Sequence, residues 1–348
     1  MKKFEGFQKG VNLGGWISQF DKYDIQHFDT FITKKDIDYI ASLGFDHVRV
    51  PVDYNVLEDE EGNIRENGFA YLENCLKWCK DNGLHMLIDL HECYGYSFDP
   101  LKKDMDRAKF FYDDELQARF MNLWREIAKR FGSYPETVAF EPLNEVVLES
   151  VADAWNGILA RFISLIREYS KNTWIVCGGV CYNSVMTVPL IKLPKDEYVV
   201  YNFHCYEPFP FTHQGAYWVE QMPSDFRIDY PADMETYKER SKVIDPDLGG
   251  AIFKVPVEQL GPDFFEAIFK PALEKSKQDD IPLYCGEYGV IDLADNHGKI
   301  RWLRDIHTVF RKYGIGNALW NYKEKDFGLV NEQFADIKDE FIQMMKEC

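Results

Sequence analysis

What this chain can fold into is constrained most by an alternation that runs along its length: a short apolar run, a polar turn, a segment of helical spacing, then another apolar run. The runs occupy residues 10–16, 47–52, 84–91, 138–146, 174–179, 198–206, 282–287 and 316–322. Between the first two, Thr33 and Asp36 have the spacing of a helix capping box. Ile37, Ile40 and Leu43 supply the apolar stripe and Gly44 the stop. Phe69, Leu72, Leu76 and Cys79 mark the next helix, and further helices are predicted at 116–131, 155–169, 300–313 and 334–345. Strands separated by crossover helices pair in parallel, and eight such units close a (β/α)8 barrel.

The predicted strand ends, at 16, 52, 91, 145, 179, 206, 287 and 320, are 36, 39, 54, 34, 27, 81 and 33 residues apart. The interval of 81 is out of step by roughly 45 residues, more than a bare loop absorbs. The expectation is one domain over residues 1–348 with a small subdomain, 207–261, inserted between strand six and its helix. Pro208, Phe209, Phe211, His213, Tyr217 and Trp218 cluster at its start and are expected to border whatever cleft lies on that face.

The C-terminal ends of barrel strands open onto a common face. They supply Trp16, Arg49, His91, Asn144, Glu145, His204, Tyr206, Glu287 and Trp320. Glu145 and Glu287, 142 residues apart, each end an apolar run, in VAFEPLNEV and PLYCGEYG. Two carboxyls on one face suit glycosidic-bond cleavage, in which one protonates the leaving oxygen and the other acts on the sugar. Glu141, four residues before Glu145, and Asp89 read as buried structural anions, with Arg49 as a candidate partner for Glu141. Glu92 reads as a loop-edge group. No His-x-His occupies the first strand, where Asn12, Leu13 and Gly14 stand, no Gly-rich phosphate loop follows strand seven or eight, and the one lysine near a strand end is Lys323. Neither metal nor cofactor is expected.

A net charge of −18 opposes nucleic acid, whose affinity for proteins comes from cationic contacts. No apolar run approaches the ~20 residues of a membrane span. A neutral glycan is indifferent to that charge, and the aromatic content of 16%, with eight Trp, suits stacking on sugar rings. The eight cysteines, at 75, 79, 93, 177, 181, 205, 285 and 348, are expected as free thiols, because Cys75 and Cys79 lie along a helix without His or acidic partners at zinc spacing. The opening MKKFEGFQKG shows no secretory h-region, so a cytoplasmic protein or non-classical release is expected, and a monomer.

The motifs RVP at 49–51, LNEV at 143–146, NFHCY at 202–206, GEYG at 286–289 and ALWNY at 318–322 resemble glycoside hydrolase family 5 over nearly the whole chain. NLGGWIS, PFPFTHQ and YCGEYGV are most similar to clostridial-type endo-β-1,4-glucanases with a subdomain after strand six. The resemblance implies a retaining hydrolase of β-1,4-glucan or mixed-linkage glucan, with a β-mannanase as the alternative. It implies Glu145 as acid/base, Glu287 as nucleophile held ionised by Arg49 and Tyr206, and Asn144 on the sugar 2-hydroxyl. His91 and His204 would position substrate and orient Glu145, and Trp320 would floor the −1 subsite. The chain departs from that pattern at Glu92, where a second His or a neutral residue often follows the strand-three His. A non-catalytic glycan-binding barrel would leave both carboxyls unemployed, and a lyase or aldolase would lack its metal or Schiff-base site.

Overall fold

The computed structural model describes residues 2–242, 244 and 250–347. Every apolar run forms a strand: β1 (Lys9–Asn12), β2 (His47–Asp53), β3 (His85–Glu92), β4 (Val138–Glu141), β5 (Ile175–Gly178), β6 (Val199–Cys205), β7 (Leu283–Tyr288) and β8 (Gly316–Leu319). They pair in parallel in chain order, and β8 closes on β1, giving a (β/α)8 barrel.

Local signals explain the outer helices. The helix Lys34–Leu43 opens with the Thr33/Asp36 capping box and ends at Gly44, whose φ of +94° suits a residue without a side chain. The helices Glu66–Asp81, Asp114–Phe131, Ala152–Tyr169 and Asn296–Tyr313 start two to four residues before their apolar stripes, and Ala335–Lys346 starts one residue after the expected 334. The fifth crossover differs from the expected pattern. Its interval, the shortest at 27 residues, leaves room only for the 3-10 helix Val185–Leu190, which packs against the long helix Pro262–Asp279.

Strand alternation divides the core into two layers. Met86, Ile88 and Leu90 of β3 join the apolar layer beneath the helices, whereas Leu87 joins the barrel interior with Ala139, Val176, Val200, Tyr284 and Ala318. Phe4 and Phe7, stacked 4.2 Å apart, plug the N-terminal end against that interior. Two residues further along the same strands, the inward positions turn polar: Asp89 after Leu87, Glu141 after Ala139, Asn202 after Val200. The barrel is thus apolar at its base and ionic towards its C-terminal mouth.

Between β6 and Pro262–Asp279 lie the short helices Phe209–Thr212, Met234–Ser241 and Ala251–Lys254. Trp302 Nε1 donates to Glu207 O (2.9 Å), and Tyr230 donates to Asp305 Oδ2 (3.0 Å), fastening this segment to the helix Asn296–Tyr313. Part of the expected 207–261 insertion, residues 243 and 245–249, lies outside the described residues, as does Cys348. The other seven cysteines are buried free thiols. No helix among the described residues is long and apolar enough to cross a membrane.

Candidate active site

The site is built around one cation. Arg49, fully buried on the inward face of β2, donates through Nε and Nη2 to both carboxyl oxygens of Glu141 (2.7 and 3.0 Å). Nη1 donates to Asn12 Oδ1 (2.9 Å) and Glu287 Oε1 (2.7 Å), and Nη2 to Asn144 Oδ1 (2.8 Å), with Asp89 Oδ2 at 3.0 Å. A planar fork of donors is what fixes several acceptors at once. The expected Arg49–Glu141 pair is present. Asn12 and Asn202, which the sequence reading left without a role, complete it: Asn202 Nδ2 donates to Glu141 Oε1 (2.8 Å), and Asn12 Nδ2 to Gly286 O (3.0 Å). Their signal was a polar residue at an inward strand position.

Glu287 owes its aim to a bulge. Strict alternation from Tyr284 would turn Gly286 inward and Glu287 outward, but the β6–β7 register shifts so that Phe203 faces Cys285 and His204 faces Glu287. A Cβ on Gly286 would stand 2.7 Å from Asn202 Oδ1 and 3.2 Å from His204 Nε2, so the bulge needs a residue without one. Tyr206 donates to Glu287 Oε2 (2.9 Å), leaving Glu287 held at both oxygens.

Glu145 arrives differently. The strand β4 stops at Glu141, and Asn144 and Glu145 lie in the irregular chain beyond it, correcting the expectation that one strand runs on to both. Asn144 N donates to Leu90 O (3.1 Å), and Tyr96 donates its hydroxyl to Glu145 O (2.6 Å), which pins this stretch above β3. His204 Nδ1 lies 2.7 Å from Glu145 Oε1 and 3.7 Å from Glu287 Oε2. One oxygen of each glutamate and one His204 ring nitrogen lie within 4.8 Å of one another. Among the described residues, this trio is the His and carboxylate group close enough to share a metal ion.

One guanidinium faces four carboxyls, so they cannot all ionise easily. Burial pushes Asp89 up to about 7 against the pull of Arg49, and does the same to Glu141, also to about 7. Glu145 is pushed well above the usual carboxyl range, by burial first and by the charge of Glu287 second. Burial raises Glu287 too, but Arg49 and the Tyr206 hydrogen bond oppose the rise. The two environments therefore separate a proton-holding carboxyl from a charge-holding one. Burial also keeps both histidines neutral, His91 falling to about 3 and His204 well below its ordinary value.

Above these groups opens a cleft of about 790 Å3. Glu145, Glu287, His204, Tyr206 and Trp320 line it; Arg49, Asn144 and His91 stand behind its wall. His91 is 1% exposed, held by Asp89 Oδ2 (2.6 Å) and stacked parallel to Trp320 at 5.8 Å, so it backs the indole. Trp16 does not reach the site. The strand β1 ends at Asn12, and the Trp16 indole is buried, donating to Phe28 O (2.7 Å). Glu92 lines the cleft with its carboxylate taken up by Ser97 and Lys102, beside Asp53, which the sequence reading did not single out. Of the aromatics after β6, Phe209, His213, Tyr217 and Trp218 line the cleft, whereas Phe211 is buried against Tyr230.

The chain is 39% identical over 342 residues to endoglucanase C of Acetivibrio thermocellus, covering 97% of this chain and 98% of the relative. It is 38% identical over 315 residues to cellodextrinase A of Ruminococcus flavefaciens, covering 90% and 85%. The solved structure of Cel5A from Thermotoga maritima with cellobiose shares the fold, with a TM-score of 0.74 at 23% identity and 97% of each chain covered. The profile of the cellulase family, glycosyl hydrolase family 5, matches residues 7–326, and with the paired carboxyls at the mouth of a closed barrel, this chain is a member of that family.

Proposed function

We propose that this glycoside hydrolase cleaves internal β-1,4-glucosidic bonds of cellulose-type or mixed-linkage β-glucans by double displacement, with Glu287 as nucleophile and Glu145 as acid/base. The observation behind it is the pairing of the two glutamates. One oxygen of each lies within 4.8 Å of the other, the close approach expected of a retaining pair, whose carboxyl groups stand ~5–5.5 Å apart, rather than of an inverting pair at ~6.5–9.5 Å. The opposed electrostatics favour this division of roles. Glu287, with Arg49 on one oxygen and Tyr206 on the other, attacks the anomeric carbon as the C–O bond breaks, while Glu145 gives its proton to the departing oxygen. Water then enters, Glu145 takes a proton from it, and its oxygen bonds to the anomeric carbon as the Glu287–glycosyl ester bond breaks, so the sugar leaves with its original configuration and Glu287 is again a carboxylate.

The assignment extends to the groups around the pair. We assign Asn144, whose Oδ1 accepts from Arg49 behind the cleft wall, to the 2-hydroxyl of the bound sugar, and the Trp320 indole to the floor of the −1 subsite. The segment 207–261 acts as a subdomain that extends the cleft through Phe209, His213, Tyr217 and Trp218. Endoglucanase and cellodextrinase relatives favour glucan over mannan as substrate.

Azide separates the two roles. Glu287→Ala with an activated β-cellobioside should give the α-glycosyl azide by one inversion. Glu145→Ala should keep glycosylation of activated substrates, stall at the ester and give the β-azide. Opposite anomers would exchange the roles, and release of α-configured product by the unaltered enzyme would end the retaining mechanism. A reducing-sugar assay across soluble cellulose, barley glucan, mannan and xylan tests the substrate, with turnover highest on mannan as the contrary result.

A further inference from the structure

Beyond β5 the chain makes an unusual turn directly behind the acid/base. Cys181, Tyr182 and Asn183 are three successive non-glycine residues with positive φ, +52°, +57° and +54°. That conformation is unfavourable for side chains other than Asn or Asp, so the surrounding structure must hold it. It is held from both sides: Tyr182 N donates to Val146 O (3.1 Å), one residue past Glu145, and His204 N donates to Asn183 O (2.8 Å). The result is to insert the fully buried Asn183 side chain between the Glu145 segment and His204. Gly178, at the end of β5, makes room, since a Cβ there would meet Asn183 Oδ1 at 2.1 Å.

The orientation of this amide follows from its partners. Asn183 Nδ2 is 2.9 Å from Asn144 O, a carbonyl that can only accept. The same nitrogen is 3.4 Å from His204 Nε2, so its second hydrogen faces that ring atom. A donor at Nε2 requires a lone pair there, which puts the imidazole proton on Nδ1, pointing at Glu145 Oε1. Glu287 Oε2, 3.7 Å from Nδ1, also favours a hydrogen on that nitrogen, while burial above all, then the charge of Arg49 and the proximity of His91, disfavour the imidazolium.

We infer that Asn183 is a positioning residue that locks His204 as the Nδ1–H tautomer, so that His204 donates to Glu145 and the Glu145 acid proton is left for the leaving oxygen. In the other tautomer Nδ1 would accept from the protonated Glu145 and turn that proton away from the substrate. The proton balance is simple. It passes from Glu145 to the glycosidic oxygen as Glu287 bonds to the anomeric carbon, and His204 neither gains nor loses one. The inference rests on the roles proposed above for the two glutamates.

Asn183→Asp keeps the shape and replaces the donor by an acceptor, and Asn183→Gly removes the side chain while suiting the φ of +54°. Each is compared with the unaltered enzyme for kcat/KM on a dinitrophenyl cellobioside, which needs no acid, and on cellotetraose, which does. Both variants should lose about ten- to a hundredfold on cellotetraose with a change under about threefold on the dinitrophenyl substrate. 15N spectra of histidine-labelled protein should show His204 protonated at Nδ1, and the Asp variant protonated at Nε2. Equal losses on both substrates in the folded Gly variant, no loss on either, or an Nε2–H tautomer in the unaltered enzyme would overturn the inference. Glu145→Ala is the control: if it lacks the same leaving-group dependence, the acid/base assignment has failed; if it has it and the Asn183 variants do not, this inference alone has failed.

Discussion

Tyr206→Phe tests how Glu287 is kept charged. The substitution removes one hydroxyl, at 2.9 Å from Glu287 Oε2, and keeps the ring packed edge-on against His213 (4.9 Å) and Phe327 (5.9 Å). A hydrogen bond to a charged acceptor contributes about 1.5–3 kcal/mol. Glu287 faces the cleft and water can replace part of the lost bond, so the lower end applies, near one pKa unit at about 1.4 kcal/mol each. The sign follows from which form the bond favours. The hydroxyl stabilises the carboxylate, so its removal raises the Glu287 pKa, and activity, which needs Glu287 ionised, is lost at higher pH than before. The acid limb of kcat/KM should therefore move up by about one unit. The alkaline limb, reporting Glu145, should move much less, because its elevation comes first from burial. The assay is kcat/KM on cellotetraose from pH 4 to 9, with melting temperature as a control for packing. An unmoved acid limb, or a shift confined to the alkaline limb, would refute the account of how Tyr206 acts.

Three further outcomes follow from the geometry. Arg49→Met leaves Glu141 and Asp89 buried without their cation, and should cost about 3–5 kcal/mol of stability, read by denaturant titration at pH 7; a loss below about 1 kcal/mol would contradict the central place of this charge. Gly286→Ala forces a Cβ against Asn202, itself held by Glu141 (2.8 Å) and Gly286 N (3.0 Å), so kcat should fall about a hundredfold as Glu287 is displaced, with unchanged turnover as the contrary result. Trimming residues 207–261 to a short loop should raise KM for cello-oligosaccharides far more than it lowers kcat on a small aryl glycoside; an unchanged KM and product pattern would make the segment irrelevant to substrate.

The site was legible in the sequence to the extent that strand periodicity governs it. Arg49 and Glu141 lie within regular strands, where alternate residues share a face, so their pairing across the barrel could be anticipated. Asp89 belongs to the same set. The limits appear where the strands end. Trp16 ends an apolar run, yet the chain leaves β1 four residues earlier and turns the indole into the packing near Phe28. Asn183 carries no signal in the sequence, because an Asn in a polar turn has many ordinary uses and only its neighbours reveal this one.

By itself the sequence determined the layered architecture: apolar runs and helical stripes of the right spacing leave few ways to bury both faces of a parallel sheet other than closing it. It also determined the ionic character of the barrel mouth, since polar residues follow apolar ones at inward positions of β3, β4 and β6. Tertiary structure alone decided the aim of the two glutamates. Glu287 points inward because β7 slips by one residue against β6 at Gly286, a register choice that local periodicity would have placed the other way. Glu145 lies past the end of β4, where no strand repeat orients side chains, and is set by Tyr96, Leu90 and His204, residues far away in the chain. The physical reason is the same in both cases: side-chain direction is a local property only while the backbone repeats, and at the mouth of a barrel it is fixed by hydrogen bonds between segments that only the closed fold brings together.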